Sequence, residues 1–560
     1  MEIILEALGD PGRYHVLITC MFAVTWWSMT FGAISMAFYG EPLKIKCNVP
    51  SRHISYSPNE LPYLENSSVP FTNISMAKDE CSYNITSVTN GTVTHSSHQC
   101  DSWTYLDGGR EISNIVTEWN LVCSNHYKVS LTTTMFFVGV FIGAPIFGFI
   151  SDQFGRKKTL AVCLYSHIPI ALAISFMPEY ISFTVFRLFL GVWLQGISTV
   201  AFVHCIEFFR QKYRGVVMVG FGMSWAVGQL LTTLIAYFLP NWRHMQRVSV
   251  ALPLITLPYY WWLPESPRWL LVKGRFDEIL KVFIQRAAKV NHVSGKLNWF
   301  KQQLEELKQT NILVASDAQP QSFVNILKTG ILLKRLLAMC YSWCMASMTY
   351  YMFIFNTTEL GGDIYKYYAI GAGLEIIVNF FTIFLMTRFG RRRPLFVFSF
   401  LLGVVCIVCG TIPRTLNLGI AILCFALLGR MAIAAVMCLI FVYAAELFPT
   451  FARGSCIAIC GCSLRIGGML APQVIYLGGL VSPEFPYIIV AVMMILIGVI
   501  AIFLPETFGR SLPNTIEEAV DIQNQIEGSE PKMDESETIS TITEQQEKLV
   551  VTTSNCDTKC

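Results

Sequence analysis

Charged residues are scarce in this sequence of 560 amino acids. Asp, Glu, Lys and Arg make up only 14% of it, whereas soluble domains contain about 25%. Hydrophobic residues make up 53%, and the mean hydropathy is +0.49. This balance excludes a soluble enzyme and predicts an all-α polytopic membrane protein that buries most of its surface in lipid. The net charge is only +3 and no basic arm stands apart from the apolar segments, so nucleic acid is not an expected partner.

Several chemical motifs are also missing. The sequence has no glycine-rich phosphate loop, so ATP is not an expected partner. No metal-ligand spacing occurs and the nine histidines are scattered, so we expect neither a metal nor another cofactor. Most of the 18 cysteines lie in apolar runs, where cysteine behaves as a small buried hydrophobe. We therefore expect that the protein is not an enzyme.

The hydrophobic residues are concentrated in twelve long segments with few or no charges. The first segment lacks a small-residue cleavage site and is too long for a signal peptide, so we expect a retained helix. The segments form two groups of six, which predicts an N-terminal bundle over residues 15–264 and a C-terminal bundle over residues 331–504. Their approximate bounds are 15–38, 129–150, 159–177, 181–204, 216–239, 248–264, 331–355, 366–387, 394–412, 417–442, 454–480 and 487–504.

Two polar insertions predict the orientation. The loop 39–128 has four N-glycosylation sequons and four cysteines, so we expect it outside the cell, where disulfides with three possible pairings can form. The linker 265–330 is rich in Lys and Arg, which is typical of cytoplasmic segments. Both termini, 1–14 and the mostly disordered 505–560, are then cytoplasmic. The sequon residues are Asn66, Asn73, Asn84 and Asn90, and the cysteines are Cys47, Cys81, Cys100 and Cys123.

The two groups of helices carry the same motifs in the same order. Gly155-Arg-Lys-Lys is matched 235 positions later by Gly390-Arg-Arg-Arg, and Glu207-Phe-Phe is matched 239 positions later by Glu446-Leu-Phe. Pro-Glu265-Ser-Pro is matched about 241 positions later by Pro-Glu506-Thr. Each motif alone could be a helix cap, but the shared offset indicates a duplicated six-helix unit. Parallel repeats of this kind place a substrate site near the bilayer midplane, between halves that rock against each other.

Several of these sequence stretches resemble motifs of a known protein superfamily. Gly148-Phe-Ile-Ser-Asp-Gln-Phe-Gly-Arg-Lys-Lys158 is similar to the loop 2–3 motif of the major facilitator superfamily. The large glycosylated loop, Cys100-Asp-Ser-Trp, Pro264-Glu-Ser-Pro-Arg-Trp-Leu-Leu, Tyr443-Ala-Ala-Glu-Leu-Phe-Pro and Leu504-Pro-Glu-Thr-Phe-Gly-Arg-Ser-Leu-Pro are closer to one of its families. Over residues 5–525 the chain resembles solute carrier family 22, the organic cation, organic anion and carnitine transporters. The resemblance implies the major facilitator fold, with twelve transmembrane helices as two six-helix repeats. Sugar porters share Pro-Glu-Ser-Pro-Arg but lack the loop.

The sequence departs from the family pattern at two points. Thr387 stands in the second half where the first half has Asp152, so the charge pair expected at this loop is weaker there. The family's tyrosine-pair-glycine stretch in helix 7 reads Tyr350-Tyr351-Met352 here, which changes the shape beside the expected cavity.

Six charged residues are predicted to act in gating. The resemblance implies that Asp152 and Arg156 latch the outward-facing state, at a helix end where backbone dipoles strengthen such pairing. The alternative is that the basic residues only set topology. The resemblance also implies that Arg430 supports the cytoplasmic gate. The full set is Asp152, Arg156, Arg187, Glu207, Arg430 and Glu446.

Five residues are candidates for substrate binding. Glu375 and Arg465 stand well inside apolar segments, where ionisable side chains are costly and mark functional sites. By resemblance, anion and carnitine carriers tend to have arginine at position 465, where cation carriers have an acid; alternatively, Arg465 only neutralises Glu375. Aromatic faces hold flat organic groups and attract quaternary ammonium, and Trp225, Tyr350 and Tyr351 are the aromatic candidates.

The residues and the resemblance together predict a polyspecific secondary transporter. We expect small organic anions or carnitine-like zwitterions to cross the plasma membrane by alternating access, through uniport or exchange. The first alternative is an organic cation transporter of the same family, and the second is a non-transporting receptor or scaffold on a transporter fold. The expected partners are a small organic ion and the lipid bilayer.

Overall fold

The computed structural model describes residues 2–521 apart from short gaps. The gaps are 10, 49–70, 77–80, 90–91, 107–112, 257, 315–323, 357–362, 412–418, 450–451, 511–512 and 514. The sequons at Asn66 and Asn90, and the part of the predicted tail beyond Asp521, lie outside the described residues.

Eleven helices in these described ranges are long and apolar enough to cross a membrane. Five belong to the predicted N-terminal bundle and six to the C-terminal bundle. The first half contains α1 (Glu2–Ala7), α2 (Arg13–Tyr39), α3 (Ile115–Trp119), α4 (Tyr127–Phe154), α5 (Arg156–Ile174), α6 (Tyr180–Ile206) and α7 (Arg214–Phe238), of which α1 and α3 are short.

The predicted sixth span, 248–264, is not one continuous helix. Around this segment the chain forms three short helices, α8 (Trp242–Ser249), which mostly precedes it, and α9 (Ala251–Leu254) and α10 (Tyr259–Trp262) within it. Pro253 and Pro258 explain the breaks, because proline has no backbone N–H and its ring clashes with the preceding turn. Helices α8 and α9 pack against α2 and α5, so the three pieces together occupy the place of the sixth helix.

The linker and the second half are also helical. The linker contains α11 (Pro267–Val272), α12 (Phe276–Glu278), a π-helical turn (Ile279–Ile284), α13 (Gln285–Val290), α14 (Leu297–Val314) and α15 (Val324–Lys328). The second half contains α16 (Gly330–Phe355), α17 (Ile364–Phe389), α18 (Arg392–Thr411), α19 (Gly419–Leu447), α20 (Arg453–Val481) and α21 (Phe485–Phe503), and the short α22 (Ile516–Asp521) follows.

Five strands lie between α2 and α3, within the predicted extracellular loop. Strand β1 (Lys44–Cys47) pairs antiparallel with β5 (Trp103–Leu106), and β2 (Phe71–Met76), β3 (Ser82–Thr89) and β4 (Thr92–Gln99) form an antiparallel meander. Disulfides join Cys47 to Cys100 and Cys81 to Cys123, which is one of the three possible pairings. We call the end of the bundle beside these strands the strand end, and the opposite end, beside α11–α15, the linker end.

The two halves contact each other through two equivalent helix pairs. Helix α4, the second long helix of the first half, packs against α20, the fifth of the second half. Helix α7, the fifth of the first half, packs against α17, the second of the second half. The duplicated sequence unit is therefore repeated in the packing.

Candidate substrate site and gates

A buried polar cluster joins the two halves. The fully buried Gln229 of α7 donates from Nε2 to Glu375 Oε2 at 2.7 Å and to the Tyr350 hydroxyl at 3.0 Å. That hydroxyl donates to Glu375 Oε1 at 3.1 Å and accepts from Trp225 Nε1 at 2.6 Å. Arg430 donates to the remaining atom of the amide, Gln229 Oε1. One glutamine thereby links α7 of the first half to α16, α17 and α19 of the second. We call these five residues the central cluster.

The side chain of Arg430 packs against Gly371 of α17. Its side chain is 1% exposed, and its guanidinium carbon is 5.4 Å from the ring centroids of both Tyr367 and Tyr368. A Cβ at Gly371 would overlap the guanidinium, so only glycine fits there. Arg430 is 16 residues from Glu446, about 24 Å along α19. The structure places this predicted gating residue in the central cluster, and its role in gating stays a prediction.

Arg465 lies on α20 without a carboxylate partner among the described residues. Its Nη1 donates to the carbonyl of Gly461 at 2.6 Å, and its buried Nε has no acceptor in the described structure. The side chain is partly exposed, whereas Glu375 has its hydrogen bonds with Gln229 and Tyr350. Arg465 therefore does not neutralise Glu375 in this structure, and its charge can meet an anion.

The aromatic candidates lie around Glu375, with Tyr350 hydrogen-bonded to Glu375 and to Trp225, and Tyr351 next to Tyr350. The ring of Tyr351 is 5.5 Å from Tyr350, 4.5 Å from Phe137 of α4 and 5.9 Å from Phe355. Tyr351 is also close enough to Arg465 to interact with its charge. The structure thus brings all five predicted substrate residues to one region, with Trp225, Tyr350 and Glu375 in the central cluster and Tyr351 connecting it to Arg465.

The two halves meet at the strand end through side chains. The ring of Phe38 in α2 is 5.8 Å from Tyr365 and 5.0 Å from Tyr368 in α17, and Tyr237 in α7 is 5.6 Å from Tyr365. The Thr134 hydroxyl of α4 accepts from Gln473 of α20 at 2.8 Å. These contacts hold the strand end closed.

Three of the predicted gating residues of the first half, Asp152, Arg156 and Glu207, meet at the linker end. Arg156 donates from Nε and Nη2 to the Glu207 carboxylate at 3.2 Å, and from Nη1 to the Ser151 carbonyl at 2.8 Å. Glu265 accepts from the backbone N–H of Arg156 at 2.9 Å and of Lys157 at 3.0 Å. It therefore caps the start of α5, where the helix dipole favours a negative charge. Burial raises the pKa of Glu265, although these backbone donors oppose the shift.

The second half repeats this arrangement at the linker end. Arg391 donates to Glu446 at 2.7 Å and to the Met386 carbonyl at 3.0 Å. Glu506 accepts from the backbone N–H of Arg391 at 2.9 Å and of Arg392 at 3.1 Å. The motifs at the shared offset are therefore two copies of one structure, in which a glutamate caps a helix and an arginine pairs with a second glutamate.

The two linker-end copies differ at the position where the first half has Asp152 and the second half has Thr387, as the sequence predicts. Asp152 pairs with Arg156 at 2.7 Å, and its carboxylate side chain is 67% exposed. The hydroxyl of Thr387 instead donates to the Phe384 carbonyl at 2.8 Å. The Asp152–Arg156 pair lies entirely within the first half, so this pair alone does not tie the halves together, and its role as a latch stays a prediction.

Arg187 lies inside the first half, away from the linker-end pairs. It is fully buried and donates to the Ser35 hydroxyl at 3.1 Å and the Gly32 carbonyl at 3.2 Å, both on α2. Its guanidinium carbon is 4.9 Å from the Phe136 ring centroid. These contacts hold α2, α4 and α6 together, and a gating role for Arg187 is untested.

Four residues of these sites escape the sequence prediction. Glu265, Arg391 and Glu506 belong to the recognised repeat but are not among its predicted site residues, although their matched positions in the two halves are a usable signal. Gln229 has no comparable signal, because a neutral glutamine in an apolar helix does not reveal its partners. Among the described residues, no group of three His, Cys, Asp or Glu side chains could hold a metal ion.

Comparison with solved structures identifies the fold. A partially occluded inward open structure of the xylose transporter XylE from E. coli matches 89% of this chain and 100% of its own, with a TM-score of 0.60 and 16% identity. XylE with a bound bromo-deoxyglucose, named as a major facilitator superfamily protein, matches 91% of this chain and 99% of its own, with a TM-score of 0.59 and 17% identity. The protein therefore has the major facilitator fold.

Sequence comparison then gives the family. Residues 81–518 match the family described as sugar (and other) transporter. The chain is 32% identical to the organic cation transporter protein of Drosophila melanogaster over 92% of this chain and 93% of the relative. It is 33% identical to solute carrier family 22 member 2 of Homo sapiens over 76% and 74%, and 31% identical to member 4 of Mus musculus over 75% and 74%. The chain belongs to solute carrier family 22, a family of multi-pass membrane transporters in the major facilitator superfamily.

Proposed function

We propose that this protein moves small organic anions or zwitterions across the plasma membrane, as a uniporter or exchanger. The observation that carries the proposal is the guanidinium of Arg465, which has no carboxylate partner among the described residues and lies close enough to Tyr351 for its charge to act on the tyrosine hydroxyl. A guanidinium pairs with a carboxylate through two parallel hydrogen bonds, so a carboxylate-bearing substrate supplies the partner that Arg465 lacks in the described structure.

The packing of the halves supports transport by alternating access. Side chains join the halves at the strand end, whereas the charged clusters of the linker end each remain within one half. With the predicted topology, in which glycosylation marks the outside, this arrangement is an inward-facing state. Substrate then leaves toward the cytoplasm, and opening of the strand end requires separation of the aromatic contacts.

Organic cation transport is the second candidate. It is favoured by two relatives from Drosophila melanogaster, named organic cation transporter protein and organic cation transporter-like protein. The buried Glu375 could serve a cation beside Trp225 and Tyr350, whose rings attract quaternary ammonium. Its hydrogen bonds with Gln229 and Tyr350 must then rearrange when substrate binds.

Uptake into proteoliposomes separates these functions. The purified full chain is reconstituted and given labelled benzoate, L-carnitine or tetraethylammonium, with and without an imposed membrane potential. Accumulation and counterflow of benzoate or L-carnitine are the expected results. Uptake of tetraethylammonium alone would make the cation transporter the correct function. Saturable binding of a probe without uptake or counterflow would contradict both and identify a receptor.

A further inference from the structure

Two thiols from different helices face each other in the second half. Cys340 of α16 and Cys460 of α20 share a hydrogen bond with their Sγ atoms 4.0 Å apart. Cys340 is partly exposed and Cys460 is buried. Neither residue is part of the central cluster or of the linker-end pairs, so the transport site leaves this pair without a role.

The backbones of the two helices pack closely near the thiol pair. A Cβ at Gly467 of α20 would overlap the carbonyl oxygen of Cys344 in α16 and would be 2.9 Å from the backbone nitrogen of Met348. The helices therefore touch within two turns of the thiol pair. A disulfide requires sulfur atoms about 2.05 Å apart, so the two Sγ atoms must approach each other by about 2 Å to form the bond.

We propose that Cys340 and Cys460 form a reversible oxidation site that responds to peroxide. The partly exposed thiol of Cys340, as its thiolate, attacks one oxygen of hydrogen peroxide and becomes a sulfenic acid, and the other oxygen leaves as water after taking up a proton. The Cys460 thiolate attacks the sulfenic sulfur, and the hydroxide that leaves takes up a proton to give a second water. Two thiols and one peroxide thus give one disulfide and two waters, and a dithiol reverses the reaction by exchange.

The predicted location suits a transient bond of this kind. Cys340 is the eleventh of the 26 residues of α16 and Cys460 is the eighth of the 29 residues of α20, so both lie in the half of their helices nearer the linker end, which the sequence assigns to the cytoplasm. Cytosolic disulfides in most organisms are transient and often sense the redox state. The stable disulfides Cys47–Cys100 and Cys81–Cys123 lie at the opposite end, so one chain holds structural disulfides on one side and an oxidisable pair near the other.

The test is direct detection of the crosslink. The purified full chain in proteoliposomes is treated with hydrogen peroxide, free thiols are blocked, and digested peptides are analysed without reduction. We expect one new crosslinked peptide that joins the segments around Cys340 and Cys460 and disappears with dithiothreitol. Cys460→Ser should prevent it. Cys344→Ser and Cys456→Ser are matched controls one helical turn away and should leave it unchanged.

Two results would overturn the proposal. One is a wild-type chain in which both thiols remain free to alkylate after peroxide treatment that oxidises free glutathione completely. The other is a crosslinked peptide that joins Cys340 to Cys344 or to Cys456 in place of Cys460. Neither readout depends on the transported substrate, so failure of the proposed transport function leaves this test intact.

A consequence for transport rests on the proposed function. Cys460 is five residues from Arg465 on α20, about 8 Å along the axis, so the crosslink restrains the helix that carries the proposed anion receptor. We expect oxidised wild type to take up L-carnitine several-fold more slowly than reduced protein, with recovery in dithiothreitol, and Cys460→Ser to be insensitive to peroxide. Unchanged uptake by fully crosslinked protein would contradict this consequence.

Discussion

Two glycines at the linker end adopt a backbone conformation that other residues rarely hold. Gly155 has a φ of +105° and Gly390 a φ of +82°. A Cβ at Gly155 would be 2.5 Å from Glu265 Oε2, and one at Gly390 would be 2.6 Å from Glu506 Oε2. Each glycine therefore allows the chain to turn directly into the next helix while a glutamate lies against its backbone.

Substitution of Gly390 tests this requirement. Gly390→Ala should lower the free energy of unfolding by about 1–3 kcal/mol, because alanine is strained at positive φ and its Cβ displaces Glu506. The measurement is the thermal midpoint of the purified protein in detergent. Gly454→Ala is the control, since a Cβ there meets nothing within 4 Å. Equal midpoints for the two variants would contradict the account.

Individual residues also show which features of the site the sequence predicts and which it does not. Glu375 and Arg465 are conspicuous because an intramembrane charge is rare, and the structure brings both near Tyr351. Arg430 is equally conspicuous, yet the resemblance assigns it to the cytoplasmic gate, whereas its guanidinium lies against Tyr367 and Gln229. The position of a charge along one helix is readable from sequence, but the neighbouring helix that it meets is set by packing.

At the scale of elements, each linker-end glutamate caps the start of a membrane-spanning helix. Glu265 caps α5 and Glu506 caps α18, each through two consecutive backbone N–H groups at the helix start. Charged caps stabilise a helix start because they satisfy free donors and complement its dipole. Since the two caps make the same kind of contacts, they should contribute similar amounts to the free energy of unfolding.

Neutralisation of either cap should therefore have a similar effect. Glu506→Gln and Glu265→Gln should each lower the free energy of unfolding by about 1–2 kcal/mol, measured by thermal unfolding in detergent. Glu305→Gln, at an exposed glutamate of α14, is the control and should change little. A lower thermal midpoint in only one of the two cap variants would contradict the equivalence of the two caps.

The elements themselves differ in how far the sequence predicts them. Long apolar segments locate eleven helices to within a few residues, because lipid requires such helices. The segment 248–264 is equally apolar, but Pro253 and Pro258 divide it into α9 and α10. The strands between α2 and α3 have no clear alternation of apolar and polar residues. The spacing of the four cysteines also leaves open which of them pair in the two disulfides of this region.

At the scale of the whole molecule, Gln229 connects the two halves. It joins α7 of the first half to Glu375 and Arg430 of the second. Gln229→Leu removes these bonds and leaves buried polar groups unpaired, which costs about 1–3 kcal/mol each. We expect the strand end of this variant to open more often.

Spin labels at Glu179 and Lys366, which lie in opposite halves near the strand end, measure this opening. Pulsed dipolar distances should shift toward longer values in Gln229→Leu. Gln195→Leu is the matched control, because Gln195 is also buried but donates to Thr199 within α6. An identical distance distribution in wild type and Gln229→Leu would show that the central cluster does not hold the strand end closed.

Glycosylation tests the predicted orientation of the whole chain. Conversion of Asn66, Asn73, Asn84 and Asn90 to Gln should lower the apparent mass and the surface delivery of protein made in a glycosylating host. Asn84 is exposed on β3, as glycan attachment requires. Transport per molecule at the surface should stay the same, because the strands lie off the proposed pathway. Unchanged gel mobility would contradict the predicted topology as well as the glycosylation.

The central claim is that Arg465 receives a substrate carboxylate, and uptake by Arg465 variants tests it most directly. Removal of a charge-assisted bond in a partly dehydrated cavity costs about 2–4 kcal/mol. Arg465→Ala should therefore reduce L-carnitine or benzoate uptake at sub-saturating concentration by roughly one to three orders of magnitude, and Arg465→Lys should recover only part of it, because a point charge does not reproduce the planar fork.

Arg388→Ala, at an exposed arginine of α17, is the matched control, and the amount of reconstituted protein is measured for every variant. We expect near-normal uptake for Arg388→Ala and the large loss for Arg465→Ala. A wild type that carries only tetraethylammonium, together with an Arg465→Ala variant that carries it equally well or better, would contradict the account and establish the cation transporter.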